Sequence, residues 1–221
     1  MNNKLILLVD DHPLILEGYK NVLLNTKFNN SHNYTIQLAE NLSDAHRYLF
    51  ETNNKYDIVC LDMNLPASEN LGLYSGEDLG IKLRAKNPDI ALIVLTMFDD
   101  NFRIYNLIRN LNPEGFLIKK DVKPFDLAKA FSDVVEGKTY YSATVNSLIR
   151  KRIQQEFVLD KIDRQLIYYI SKGVKTKDLP DLIPLSLAAI EKRKRQIKEA
   201  FKIAGQGDIH LIDRARELGF L

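Results

Sequence analysis

Five polar residues of this 221-residue chain each close a short apolar run. Asp10 and Asp11 follow residues 5–9, Asp62 follows 57–61, Thr96 follows 91–95 and Lys119 follows 115–118. Three carboxylates gathered at one place repel one another and raise one another's pKa. A hard divalent cation relieves that repulsion, and an all-oxygen donor set suits Mg2+, which keeps several of its waters. A carboxylate is also a nucleophile toward a phosphoryl group, giving an aspartyl phosphate. Phosphoryl transfer asks the protein mainly for positioning and for neutralisation of the oxygens' charge. The ammonium of Lys119 and the hydroxyl of Thr96 are suited to that work. The turn Asp10-Asp11-His12-Pro13 argues against a nucleotide or flavin site. A phosphate cradle there wants glycines and free backbone N–H groups.

These residues need a frame that brings them to one edge. Residues 5–9, 57–61, 91–95 and 115–118 read as strands buried on both faces, and 34–39 as a further strand. Between them apolar residues recur at helical spacing. Leu14, Ile15, Tyr19, Val22 and Leu23 follow Pro13, and Leu42, Ala45, Leu49 and Phe50 follow a cap at Ser43 or Asn41. Leu79, Ile81 and Leu83 mark a helix stopping before Pro88. Ile104, Tyr105, Leu107 and Ile108 mark another, and Pro124 opens a fifth that Gly137 closes. Five strand–helix repeats predict an α/β fold: a doubly wound, five-stranded parallel sheet with helices on both faces. Ligands of such sheets bind outside the carboxyl ends of the strands. The five polar residues stand at those ends.

Composition agrees with a globular chain. It is 45% hydrophobic and 27% charged, which argues against disorder. One cysteine, Cys60, excludes an internal disulfide framework, fits a reducing cytosol and reads as an inert core thiol. The first apolar run is too short for a leader core or a membrane span, so a cytoplasmic protein without a membrane partner is expected. The net charge of +2 hides a split. Residues 1–137 hold 14 basic and 19 acidic side chains, and the remainder holds 17 basic and 10 acidic. An acidic module joined to a basic one suggests two modules with different partners, the basic one suited to an anionic polymer.

The strand-end pattern resembles a response-regulator receiver domain over about residues 4–137, with its signature positions present in order. The resemblance implies that Asp62 is the phosphoacceptor. It implies Mg2+ held by Asp11, Asp62 and the backbone carbonyl of Asn64, with Asp10 acting through a metal-bound water or from behind the direct ligands. Thr96 falls at the switch hydroxyl and Phe116 at the switch aromatic. Lys119 is preferred to its neighbour Lys120 because it lies three residues past Phe116. The loop from Asn64 to Gly76 is several residues longer than is usual in the family. His12 reads as a turn residue and not as a phosphodonor.

Residues 138–158, with Tyr140, Tyr141 and Arg150-Lys151-Arg152, read as a partly helical linker. Beyond it, Asp160 or Asp163 caps a helix burying Leu159, Ile162, Leu166, Ile167 and Ile170, ended by Gly173. Thr176 is expected to cap a short helix with Leu179 and Leu182, which Pro180 should shorten or distort. Ser186 then caps a long helix. From Ser186 to Lys202 that helix holds six cations against Glu191 and Glu199. Ile190, Ile197 and Phe201 share one stripe about 40° wide, leaving Lys192 and Arg195 on the open side. A basic helix after a short helix and a turn is the layout of a helix-turn-helix.

Residues 159–221 resemble the LuxR-type (NarL/FixJ-like) helix-turn-helix output domain, through Gly173, Ser186, Ala189-Ile190, Ile197 and Phe201. By that resemblance Glu191, Lys192 and Arg195 face bases, and Ser186, Arg193 and Lys198 contact phosphates. Glu191 departs from the lysine common there and can accept from a cytosine amino group. The amphipathic tail from Ile209 to Leu218 corresponds to a helix that helps relatives dimerise.

The expectation is a receiver at 1–137, a linker at 138–158 and a DNA-binding domain at 159–221. A sensor histidine kinase or a small phosphodonor would phosphorylate Asp62, and the change would either release the output domain or promote a homodimer, leading to binding of double-stranded DNA. The rival readings are an output that binds protein, tested by the salt dependence of DNA affinity, and a Mg2+-dependent phosphohydrolase. The second is disfavoured because Asn64 occupies the place where such enzymes carry a proton-donating aspartate. A regulator and not an enzyme is expected.

Overall fold

The computed structural model describes residues 2–25, 32–98, 100–150 and 158–221. The chain divides into two compact units, Met1–Ile153 and Gln154–Leu221.

In the first unit, strands β1 (Asn2–Val9), β2 (His32–Ala39), β3 (Ile58–Asp62), β4 (Ala91–Thr96), β5 (Gly115–Ile118) and β6 (Tyr140–Tyr141) alternate with helices. The first five helices are α1 (Pro13–Asn25), α2 (Leu42–Phe50), α3 (Gly76–Lys86), α4 (Asn101–Leu111) and α5 (Pro124–Val135). The strands form one parallel sheet in the order β2-β1-β3-β4-β5-β6. Every residue of β3 and β5 is buried, which is why their sequences run apolar without alternation. Alternate side chains nevertheless enter different layers. Leu7, Val59, Leu61, Val94 and Phe116 pack with Leu42, Leu79 and Leu107 on one face. Ile6, Leu8, Cys60, Leu95 and Leu117 pack with Leu16, Leu127 and Phe131 on the other. The doubly wound α/β fold is as expected. Of the alternative caps for α2, Asn41 accepts from the Asp44 N–H at 2.8 Å.

The sheet has one strand more than the five expected. Tyr140 and Tyr141, read as linker, pair with Gly115 and Phe116 of β5. Ser142 then precedes α6 (Ala143–Arg150), whose Val145 is buried in the same layer as Phe116. The first unit therefore runs past the Gly137 boundary. Lys151 and Arg152 of the expected linker lie outside the described residues.

The long loop after Asp62 is built, with a 3-10 turn at Glu69–Leu71 and an isolated bridge between Ser68 and Leu73. Gly72 makes the left-handed turn (φ +62°) that a side chain would strain.

In the second unit, α7 (Lys161–Ser171) opens on a capping box in which Asp160 and Asp163 each accept the other's backbone N–H. A 3-10 turn spans Thr176–Asp181, and α8 (Leu187–Ala200) and α9 (Asp208–Glu217) follow. Pro180 lies inside the 3-10 turn, which agrees with its lack of a backbone donor. Thr176 is not the cap expected of it: Lys175 takes that position, and the Thr176 hydroxyl accepts from Lys194 at 2.7 Å. Ser186 caps α8 through the Ala189 N–H. Ile190, Ile197 and Phe201 are buried as the stripe predicts, together with Leu166, Leu179 and Leu211. Among the described residues no helix is long and apolar enough to cross a membrane.

Candidate functional site

Parallel pairing of β1, β3, β4 and β5 carries their last residues to one edge. There the Lys119 ammonium donates to Asp10 Oδ2 at 2.6 Å and to Asp62 Oδ2 at 2.7 Å. Asp62 is only 2% exposed. Its other oxygen accepts the Asn64 N–H at 3.1 Å. The Asp10 turn is pinned by its own N–H, which donates to the Ala39 carbonyl of β2. Asp10 Oδ1 accepts the His12 N–H at 3.1 Å, and His12 Nδ1 stands 2.8 Å from Asp11 Oδ1.

Burial pushes the Asp62 carboxyl above its ordinary range, outweighing the Lys119 charge and the Asn64 N–H. Burial alone would lower the Lys119 ammonium, but the charge of Asp62 and the bonds to Asp10 and Asp62 hold it above its usual value. One ammonium is thus shared between two buried carboxylates with a third beside them. Asp11 Oδ1 is itself buried and accepts no hydrogen bond of sound geometry. Ligand atoms of Asp10, Asp11 and His12 lie within 4.8 Å of one another. This excess of buried oxygen charge is what a hard divalent cation would neutralise, so the donor set fits Mg2+.

Thr96 is fully buried one residue past Leu95, the register partner of Asp62, and its hydroxyl accepts the Phe98 N–H at 3.2 Å. Phe116 is wholly inside the core, edge-to-face with Tyr141 at 6.2 Å between ring centroids. Asp10, Asp62 and Lys119 are therefore in direct contact, with Asp11 and Asn64 beside them and Thr96 one register step away.

Two features of this edge were not read from the sequence. Gly76, read as loop punctuation, presses the first turn of α3 against the backbone of Asp62. Buried Glu77 and Arg103, with half-buried Asn110, form a cluster joining α3 to α4. Arg103 pairs with Glu77 Oε2, and Asn110 donates to Glu77 Oε1 at 2.7 Å. Each of the three resembles an ordinary surface residue of an amphipathic helix, and the sequence carried no signal of their pairing.

On the second unit, Ser186, Glu191, Lys192 and Arg195 are exposed on α8, as expected of a face turned outward. Arg193 and Lys198 are placed differently from a pair of free phosphate contacts. Arg193 donates to Asp160 at 2.7 Å and Asp163 at 2.8 Å. Lys198 donates to Asp208 at 2.8 Å and to the Gln206 carbonyl at 2.7 Å, and Lys194 also reaches Asp208. Burial would raise the Asp208 carboxyl, but the bonds from Lys194 and Lys198 outweigh it and hold it low. A carboxylate depressed on folding stabilises the fold above its unfolded pKa and loses that contribution as pH falls through the folded value. The second unit is expected to lose stability as pH drops below about 4. In melting curves against pH, wild type should exceed Asp208→Asn near neutrality, and the gap should close at the acid end. A constant gap would mean that the carboxylate's charge is not what holds α9 to α8.

Residues 6–132 match the family model of the response regulator receiver domain. The chain is 27% identical over 184 residues to a nitrate/nitrite response regulator protein homolog of Haemophilus influenzae, covering 81% of each. It is 23% identical over 204 residues to the oxygen regulatory protein NreC of Staphylococcus haemolyticus, covering 87% of this chain and 88% of the relative. In fold it is similar to RcsB of Salmonella enterica serovar Typhimurium bound to promoter rprA in the presence of phosphomimetic BeF3-. That likeness has a TM-score of 0.67 at 20% identity, and covers 97% of this chain and 99% of the other. The likeness takes in the helical unit as well as the sheet. With its acidic strand ends joined by Lys119 and a receiver model spanning more than half its length, the chain belongs to the response regulator receiver family.

Proposed function

We propose that this chain is a phosphorylation-dependent, DNA-binding transcription regulator of a two-component system. The observation that carries the reading is Lys119 bridging Asp10 and the buried Asp62 at the carboxyl edge of the sheet. A nucleophile is presented there beside a cation that can follow charge onto an incoming phosphoryl group. An Asp62 oxygen attacks the phosphorus, the bond to the donor's histidine nitrogen breaks with its electron pair staying on that nitrogen, and the donor's imidazole leaves neutral, its other ring nitrogen keeping the proton it already carried. Lys119 then pairs with a phosphoryl oxygen, and the Thr96 hydroxyl, turning from the Phe98 N–H, donates to another. Asp11, Asp62 and the Asn64 carbonyl would hold Mg2+, with Asp10 through water, and the ion supplies neutralisation of phosphoryl charge. The donor is a sensor histidine kinase, and the setting is the cytoplasm.

The output reading rests on α8 and on similarity to RcsB, which is described bound to promoter DNA. Glu191, Lys192 and Arg195 would face base edges from the exposed side of α8, with Ser186 at its start near the backbone. Phosphorylation would shift a pre-existing equilibrium that favours a homodimer on two half-sites. Functional domains would follow the two compact units, the first carrying the acceptor and the second the DNA contacts. Asn64, where a hydrolase carries its acid, favours a regulator over a phosphohydrolase.

The test is intact mass after incubation with a small-molecule phosphodonor and Mg2+. Wild type is expected to gain one phosphoryl group. Asp62→Asn, and wild type without Mg2+, should gain none. An adduct on Asp62→Asn would place the acceptor elsewhere.

A further inference from the structure

The cations of α8 are mostly spent inside the second unit. Arg193 is neutralised by Asp160 and Asp163, and Lys194 and Lys198 share Asp208. Arg195, still exposed, has Glu199 at 4.0 Å, and Glu191 adds a further negative charge to the outward face. The helix that reads as strongly basic in sequence therefore shows solvent a nearly balanced surface. Such a surface gives little of the counterion release that supplies non-specific DNA affinity.

Lys192 on α8 and Lys202 just past its end remain exposed, and further uncommitted positive charge lies in the turn before α8. Lys175 and Lys177 are both exposed, and no ion pair of the unit among the described residues engages either. Lys175 is the cap residue of the 3-10 turn Thr176–Asp181, and Lys177 lies in its first turn. Thr176, between them, accepts from Lys194 of α8 at 2.7 Å, so this turn is tied to the middle of α8. In a helix-turn-helix the first element crosses the sugar–phosphate backbone while the second enters the groove.

We infer that Lys175 and Lys177 are the phosphate-binding residues of this output unit, whereas Arg193 and Lys198 hold α8 in place. The inference rests on the DNA-binding reading and assigns its electrostatic part to the turn before α8. It also divides the labour. The turn supplies affinity without sequence preference, and Glu191, Lys192 and Arg195 are left to discriminate bases.

The experiment measures binding of the full chain to a mixed-sequence DNA duplex, with and without phosphodonor, across a salt series. No knowledge of the operator is needed, because phosphate contacts are read on any sequence. Lys175→Gln/Lys177→Gln is expected to weaken binding and to make the log K against log salt slope shallower by about one per lysine per protomer. Lys198→Gln and Arg193→Gln are expected to lower the melting temperature and, measured below it, to keep the wild-type slope. Two exposed lysines can be replaced without unfolding the unit, so a fold defect does not confound the first variant. An unchanged slope in the lysine double variant, or a loss confined to Arg193→Gln and Lys198→Gln, would overturn the assignment. A wild type with no salt-dependent affinity in either state would instead overturn the DNA-binding reading itself.

Discussion

Gly76→Ala is expected to destabilise the first unit by about 3 kcal/mol and to slow phosphorylation of Asp62 by about a hundredfold. A Cβ built at this position would lie 1.9 Å from the Asp62 carbonyl oxygen, 2.9 Å from its carbonyl carbon and 3.1 Å from Met63 Cα. All three are backbone atoms, so no rotamer change relieves the overlap. Either α3 must retreat or the end of β3 must move, and both break the bond from the Gly76 N–H to the Met63 carbonyl at 3.3 Å. The requirement is for space and not for conformation: Gly72, by contrast, needs its positive φ and has open room around it. The end of β3 carries Asp62, the proposed phosphoacceptor, and an ångström of displacement there separates it from Lys119, which now stands 2.7 Å away. Melting curves read the first effect and the rate of adduct formation by intact mass reads the second. An alanine variant with wild-type stability and rate would show that the first turn of α3 does not press on the acceptor strand.

What was legible in the sequence and what was not follow from the range of the interactions. The buried strands could be read because a strand covered on both faces must run apolar, as β5 does and as β3 does up to Asp62. The clustering of Asp10, Asp62 and Lys119 could be read because parallel strands bring their ends together, so these residues announce themselves by position alone. β6 could not: two tyrosines carry no periodicity, and they pair only because β5 offers an open edge. The charge of α8 was legible in number and not in placement. Six cations on one helix read as a surface for DNA, but three of them, Arg193, Lys194 and Lys198, are paired with Asp160, Asp163 and Asp208, which sit on other helices or at their starts. Gly76 resembled any loop glycine, since nothing local records a carbonyl packed against its Cα.

Arg103→Leu is expected to cost about 3–5 kcal/mol, roughly 6–20 °C in the melting temperature of the first unit. Arg103 and Glu77 are both fully buried and paired across α3 and α4. Removing the guanidinium leaves the Glu77 carboxylate in the core without its cation, though Asn110 still donates to it. The cost comes from that stranded charge more than from the lost attraction, which sets the test. Glu77→Leu/Arg103→Leu removes both charges and should regain most of the stability, because a buried pair replaced by apolar side chains is close to neutral. The comparison also separates stability from switching. α4 begins five residues after Thr96, so the pair fixes the helix that follows the hydroxyl proposed to act as the switch. If the pair serves only the fold, the double variant should accept phosphate on Asp62 at the wild-type rate and show the wild-type gain in DNA affinity. If it also holds α4 against movement, the double variant should bind DNA more tightly before phosphorylation and gain less from it. A single Arg103→Leu variant as stable as wild type would mean that water reaches Glu77 and that the α3–α4 junction is not a sealed part of the core.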